Sequence, residues 1–320
     1  MRHRRLGCAA ILAALAVFIF ATRGSRPPKP NPPGTFSFAV MGDAPYYEWE
    51  EWQFRHVLEE LDANDLAFIV DVGDIFWRPC TDDHYRWVLD RMNALRHPLI
   101  YTPGDNESFD CWEPGSGGYA PQGRFERIRQ LFFTHPDRSL GKTSMPLATQ
   151  GGEFVEHARW SRDGFVFATV DVIGSRNGMK SYPAKTPADD AAAHRRTEAA
   201  AAWVRESFAE ARRTNAQAVV IGFHANADLE GPVNGEYRQA FEPFISTIET
   251  EAAAFARPVL LVHGDGHEYT VDRPLVRARN VIRMQVPGSP LVGWVRVTVR
   301  PGAKDPFAFE ESVVPRWKYW

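Results

Sequence analysis

Five short apolar runs in this 320-residue chain stop in the same way, on glycine or aspartate followed by polar residues. They are Val40-Met-Gly-Asp43, Val70-Asp-Val-Gly-Asp74, Thr102-Pro-Gly-Asp-Asn-Glu107, Ile221-Gly-Phe-His224 and Val262-His-Gly-Asp-Gly-His267. Runs this short, bounded by turn residues, read as buried strands. Between the first three lie stretches at helical spacing, Tyr47–Leu61 and Thr81–Leu95, the second with Asp82 and Asp83 in its first turn. The alternation predicts a parallel sheet buried on both faces. In such folds the loops beyond the carboxyl ends of the strands line the ligand crevice. Asp43, Asp74, Asp105, Asn106, His224, Asp265 and His267 are therefore expected on one rim, with 31 residues from Asp43 to Asp74 and again from Asp74 to Asp105.

Further along, Pro114–Gly123 reads as a loop, Phe125–Phe133 and Ala188–Thr214 as helices, and Gly235–Phe255 as a helix bent at Pro243. Strands are expected at Phe165–Val172, Ala218–Gly222, Val259–Val262, Val281–Val286, Trp294–Val299 and Phe307–Val314. Alternating units in front and meandering strands behind give an α/β class: two packed mixed β-sheets flanked by helices. With no internal repeat and no change of composition after residue 35, residues 35–320 read as one domain.

Charge decides what the rim can hold. Lys and Arg number 37 against 40 Asp and Glu, so no nucleic-acid-binding surface is expected. Carboxylates and imidazoles gathered without comparable Lys or Arg are costly unless a cation compensates them. Oxygen and imidazole donors suit divalent Mn, Fe, Zn or Mg, and one or two such ions are expected.

In the order of these five endings the chain resembles the calcineurin-like metallophosphoesterase superfamily over roughly residues 36–267. That family's motifs run Asp-x-His, Gly-Asp, Gly-Asn-His-(Asp/Glu), a lone His and Gly-His-x-His. The resemblance implies a four-layer α/β/β/α sandwich. It implies metal ligands at Asp43, Asp74, Asp105, His224, Asp265 and His267, with Asp74 bridging two ions. Pro45 stands where the family has its first His, Asp105 takes the Asn place, Asn106 the catalytic His place, and Asp265 the place of the fifth motif's first His. An amide can hydrogen-bond a phosphoryl oxygen but cannot deliver a proton. Asn106 is thus expected at the reacting group, with Glu107, Asp110 or His84 as the substitute acid. The implied activity is hydrolysis of a phosphate mono- or diester by metal-activated hydroxide. The alternative is a degenerate, non-catalytic relative that binds a phosphorylated or glycan ligand.

Other signals are weaker. Ile173-Gly-Ser-Arg-Asn-Gly178 follows a strand, so Ser175 and Asn177 are candidate substrate contacts, with a plain turn as the alternative. Ser139-Leu-Gly-Lys-Thr143 lacks the first glycine of a phosphate-binding loop and reads as an ordinary loop. Trp112 is either a stacking wall or core. Arg195 and Arg196 read as a solvated helix face.

The amino terminus sets the compartment. Arg2, Arg4 and Arg5 precede the 16 uncharged, mainly apolar residues Leu6–Ala21, the pattern of an export signal. At 1.5 Å per residue that run spans about 24 Å. Residues 1–22 are read as a signal anchor or, if cleaved, a signal peptide. Pro-rich residues 23–34 are read as a linker holding the domain off the membrane. The domain is then extracytoplasmic (periplasmic), or secreted if the signal is cut. Beyond the signal only Cys80 and Cys111 remain, and in an exported domain they are expected to pair.

Overall fold

The structure, a computed structural model, describes residues 29–232 and 234–315. The signal segment lies outside them. The first sheet holds β1 (Phe36–Met41), β2 (Ile69–Asp71), β3 (Leu99–Tyr101), β11 (Gly293–Val299) and β12 (Phe307–Val313), in the order β12-β11-β1-β2-β3. The second holds β4 (Ala148–Thr149), β5 (Ala158–Arg162), β6 (Phe165–Thr169), β7 (Ala218–Gly222), β8 (Val259–His263), β9 (Thr270–Asp272) and β10 (Val281–Gln285), in the order β4-β5-β6-β7-β8-β10-β9. β1, β2 and β3 are parallel, as are β6, β7, β8 and β10, while the outer strands run antiparallel.

Alternation along each strand builds four layers. In β1, Phe36, Phe38 and Val40 enter the core between the sheets, whereas Ala39 and Met41 meet the helices Glu51–Ala63 and Asp82–Ala94. In β8, Leu260 and Val262 face inward, and Val259 and Leu261 pack on the helices Pro187–Arg213 and Glu242–Phe255. Phe38, Phe68 and Phe167 cross the inter-sheet core with ring centroids 5.0–5.6 Å apart. Truncating Phe68 to Ala there costs about 3–5 kcal/mol. The expected two packed mixed sheets flanked by helices are the architecture observed.

Several local expectations need correction. Gly235–Phe255 is not one bent helix but two, Glu236–Gln239 and Glu242–Phe255. Pro243, lacking an N–H, sits in the first turn of the second, where no donor is needed. Pro121 likewise starts the helix Pro121–Phe132 inside the expected loop. Arg196 is not solvated: it is buried, its Nε 3.3 Å from the buried Asp171 carboxylate. Ser139–Thr143 is a loop, bridged to β3 through Leu140 and Leu99. Among the described residues no helix is long and apolar enough to cross a membrane.

Candidate metal centre

Parallel register brings the strand endings together. Asp43 N–H donates to the Gly73 carbonyl and Thr102 N–H to the Asp71 carbonyl, which levels the ends of β1, β2 and β3. Gly264 N–H donates to the His224 carbonyl, which does the same for β7 and β8. The sheets are joined at the rim by Thr102 Oγ1 to the Val170 carbonyl at 3.1 Å and His224 Nδ1 to the Val72 carbonyl at 2.7 Å. Asp43, Asp74, Asp265 and His267 turn there with φ of 54°, 55°, 66° and 61°. With Ser175, Arg176 and Asn177 they make seven of the eleven non-glycine residues of positive φ among the described residues, so backbone strain is concentrated at this rim. A β-carbon on Gly104 would lie 2.2 Å from Asp74 Oδ1, and one on Gly264 2.3 Å from Asp43 Oδ2, so only glycine lets these loops close on the carboxylates.

Two ligand trios result. Ligand atoms of Asp43, Asp74 and His267 lie within 4.8 Å of one another, and so do those of Asp74, Asp105 and His224; Asp74 belongs to both. His224 Nδ1 is engaged by the Val72 carbonyl, so Nε2 faces Asp105 at 3.0 Å and Asp74 at 3.2 Å. His267 Nδ1 is engaged by the Ser289 carbonyl at 2.8 Å, which turns its Nε2 inward. Fixing Nδ1 on a carbonyl and presenting Nε2 is how metal-ligating histidines are oriented.

Electrostatics make the same point. Burial raises Asp43 to about 6, a rise that His224 and His267 only partly offset. Burial, with Asp105, Glu107 and Asp43 adding repulsion, holds Asp74 well above the usual carboxylate range. Burial would lower His224, but Asp74, Asp105 and Asp265 outweigh it and lift the imidazole well above its ordinary value. Asp105 is the exception: burial pushes it up, yet the His224 bond and charge bring it below the usual range. Asp43 Oδ2 is buried with no hydrogen-bond partner. The protein groups alone thus leave negative charge and a bare oxygen that protons only partly satisfy. The donor set fits divalent cations.

The other expected site residues fall in different places. Asp265 enters neither trio. Its Oδ2 accepts from Asn226 N–H at 2.7 Å and its own N–H donates to Asp43 Oδ1 at 2.9 Å, so it positions the first ligand. Asn106 N–H donates to Asp74 Oδ1 at 3.0 Å, and the residue is part-exposed at the rim. Glu107 as substitute acid is corrected. Its fully buried carboxylate accepts from the amides of Gly104, Asp74 and Ile75 and from Tyr101 Oη, so it braces the second and third loops. Asn177 as a substrate contact is corrected as well: it is buried, accepting from Ile173 N–H and donating to Thr197. Ser175 is part-exposed and donates to Asp110 at 2.6 Å. His84 Nδ1 is taken by the Pro79 carbonyl. Trp112 stacks on Tyr182 at 6.2 Å. Cys80 and Cys111 form a disulfide that ties the loop after β2 to the loop after β3.

Tyr46 is the residue that sequence reasoning missed. Its hydroxyl donates to Asp74 Oδ2 at 2.6 Å and lies 3.1 Å from His267 Nε2. The one phenolic hydrogen goes to the shorter contact, leaving the imidazole lone pair unshared. Burial, with Asp74 and Asp43 nearby, keeps the phenol protonated. An aromatic residue directly after Pro45 was the available signal.

No family model and no curated protein matches this chain. Among solved structures, a novel phosphatase of Mycoplasma pneumoniae is similar at 8% identity over 88% of this chain and 93% of that one, with a TM-score of 0.42. A single mutant of Vps29 from Entamoeba histolytica is similar at 9% identity over 88% and 100%, TM-score 0.32. Vacuolar Protein Sorting 29 from Cryptosporidium parvum is similar at 9% identity over 88% and 98%, TM-score 0.29.

Behind the site lies a buried ionic layer. Arg196 pairs with Asp171, donates to the Asn177 carbonyl and stacks on Phe109 at 4.5 Å. Arg129 pairs with the fully buried Glu156 at 2.7 Å. Burial, with Glu156 adding repulsion, raises Asp171 to about 7 despite Arg196. This layer holds the Gly174–Asn177 turn, and with it Ser175, against the second trio.

Proposed function

We propose that this chain is an exported, metal-dependent hydrolase of phosphate mono- or diesters, a divergent relative of the calcineurin-like metallophosphoesterases. The observation that carries the reading is the pair of ligand trios sharing Asp74. Asp43, Asp74 and His267 would hold one divalent ion (Mn, Fe, Zn or Mg), and Asp74, Asp105 and His224 a second. Such ions supply polarisation of a phosphoryl oxygen and activation of water near neutral pH. The chain's own groups do the rest. Tyr46 fixes the carboxylate that both sites share, and Asp265 fixes Asp43. Asn106 offers a side-chain amide N–H to a phosphoryl oxygen, and Ser175 stands beside the second trio with its hydroxyl hydrogen given to Asp110.

With Glu107 sequestered, the reading favours esters whose leaving oxygen needs little protonation. The same observation supports the second reading, a non-catalytic relative that binds a phosphorylated or glycan ligand. Hydrolysis of bis-p-nitrophenyl phosphate and p-nitrophenyl phosphate with added Mn²⁺ separates them. The Mn²⁺-dependent rate is expected in the wild type and absent in Asp74→Asn. Equal rates would discard the enzyme, and phosphate binding without turnover would favour the second reading.

The Cys80–Cys111 bond supports an oxidising compartment, and the basic-then-apolar start supports export through an anchor or a cleaved signal. Alkaline extraction of membranes from cells making the full chain tests the anchor, because only a cleaved product leaves the membrane fraction.

A further inference from the structure

The side chains leading out of the first trio are aromatic without interruption. His267 meets the Tyr46 ring at 5.2 Å between centroids, and Tyr46 meets Trp77 at 6.0 Å. Trp77 meets Tyr47 at 6.2 Å, and Tyr47 stacks on Trp49 at 5.5 Å with the planes 10° apart. Tyr46 is 5% exposed, while Trp77 and Tyr47 beyond it are 45% and 43% exposed. Trp77 follows Asp74 by three residues, and Tyr46 and Tyr47 follow Asp43 by three and four. The loops that present the carboxylates therefore also present the rings.

Large aromatic side chains left facing water are uncommon unless something covers them. Tyr47 and Trp77 are two of the six exposed large hydrophobics among the described residues. A third, Leu291, follows by two positions Ser289, whose carbonyl orients His267. Arg78, next in sequence to Trp77, is bound through Nη1 to Glu51 at 2.7 Å and its Nε and Nη2 are buried away from solvent, while Glu48 is exposed next to Tyr47. A cluster of exposed aromatic rings whose neighbouring guanidinium is already paired selects an uncharged ring, while the ligand trios deal with the phosphoryl charge.

We propose that the non-phosphoryl half of the substrate is a flat, uncharged π-ring, a nucleobase or an aryl group, stacked on Trp77 with Tyr47, tilted 55° to it, meeting the ring's edge, while the phosphoryl group meets the trios. This rests on the phosphoester reading and names its substrate class. Ring-on-aromatic stacking tolerates any π-face and is worth about a factor of ten or more in affinity.

The test is binding rather than turnover. Calorimetry with the full chain and Mn²⁺ compares phenylphosphonate and adenosine monophosphate with methylphosphonate, for wild type, Trp77→Ala, Trp77→Phe and Tyr47→Ala. The ring-bearing ligands are expected to bind about tenfold or more tightly than methylphosphonate. That ratio should collapse toward one in Trp77→Ala and largely return in Trp77→Phe. A preference for adenosine monophosphate over phenylphosphonate would assign the nucleobase, and the reverse the aryl group. A wild-type ratio near one, with all three ligands bound, overturns the stacking and leaves the phosphoester reading standing. No Mn²⁺-dependent binding of any ligand removes the phosphoester reading, and the rings' role with it.

Discussion

Tyr46 Oη donates to Asp74 Oδ2 at 2.6 Å, which joins the end of β1 to the carboxylate both ligand trios share. Tyr46→Phe keeps the ring against His267 and Trp77 and removes only that bond. Loss of a group that orients a ligand weakens metal affinity or activity about 10–100-fold. Mn²⁺ titration of the variant is expected to show that loss with a melting temperature close to wild type. Unchanged affinity would mean that Asp74 is oriented without the phenol.

Stability of the metal-free protein should fall as pH rises from about 4 to about 7. Burial raises Asp43 from 3.8 to about 6 and, with Glu156 adding repulsion, Asp171 from 3.8 to about 7. The folded state therefore binds more protons than the unfolded chain across that window, and each step up in pH destabilises it. His224 acts in the same sense, because the stabilisation of a raised imidazole is lost as pH climbs through its folded value. Divalent ions need the ligands deprotonated, so they should reverse the slope. Melting curves are expected to show the metal-free protein more stable at pH 5 than at 7.5, and Mn²⁺ raising the midpoint far more at 7.5.

The Cys80–Cys111 bond closes a loop of sequence separation 31. In the chain-entropy view such a closure stabilises by about 3–4 kcal/mol. Cys80→Ser with Cys111→Ser should lower stability by about that amount in urea titrations. Because the bond joins the loops that carry Asp74 and Asp105, Mn²⁺ affinity should fall as well. An intact affinity at reduced stability would show that those loops hold their places through the Glu107 bonds alone.

Arg196 and Asp171 are both buried and 3.3 Å apart. Removing one partner of a buried pair strands the other and costs about 3–5 kcal/mol. Arg196→Met should destabilise by that order, and adding Asp171→Leu should recover much of it. If the double variant regains stability but not Mn²⁺ affinity, the pair acts through the Gly174–Asn177 turn that Arg196 anchors.

Much of the site was legible because its signal is local. Asp43, Asp74, Asp105, His224 and His267 each follow an apolar run that can only be a strand, and parallel strands share one rim. The misreadings are long-range. Glu107 and Asn177 are residue types that do chemistry, but here they satisfy buried amides and a threonine hydroxyl whose positions no local pattern reveals. Arg196 sits on a helix face that composition suggests is wet, and its partner is 25 positions earlier. β5 went unread because Ala158–Arg162 carries two arginines and a serine among five residues, an edge-like pattern with little apolar signal.

By itself the sequence determined the strand endings, the α/β layering and the residue types gathered at the rim, because apolar runs must be buried and glycine–aspartate turns must end them. Only the tertiary structure decided which of those side chains face one another. Direction there is set by backbone hydrogen bonds and charge compensation between segments that meet only after folding, as when the Val72 carbonyl turns His224 and the Asn226 amide holds the Asp265 carboxylate.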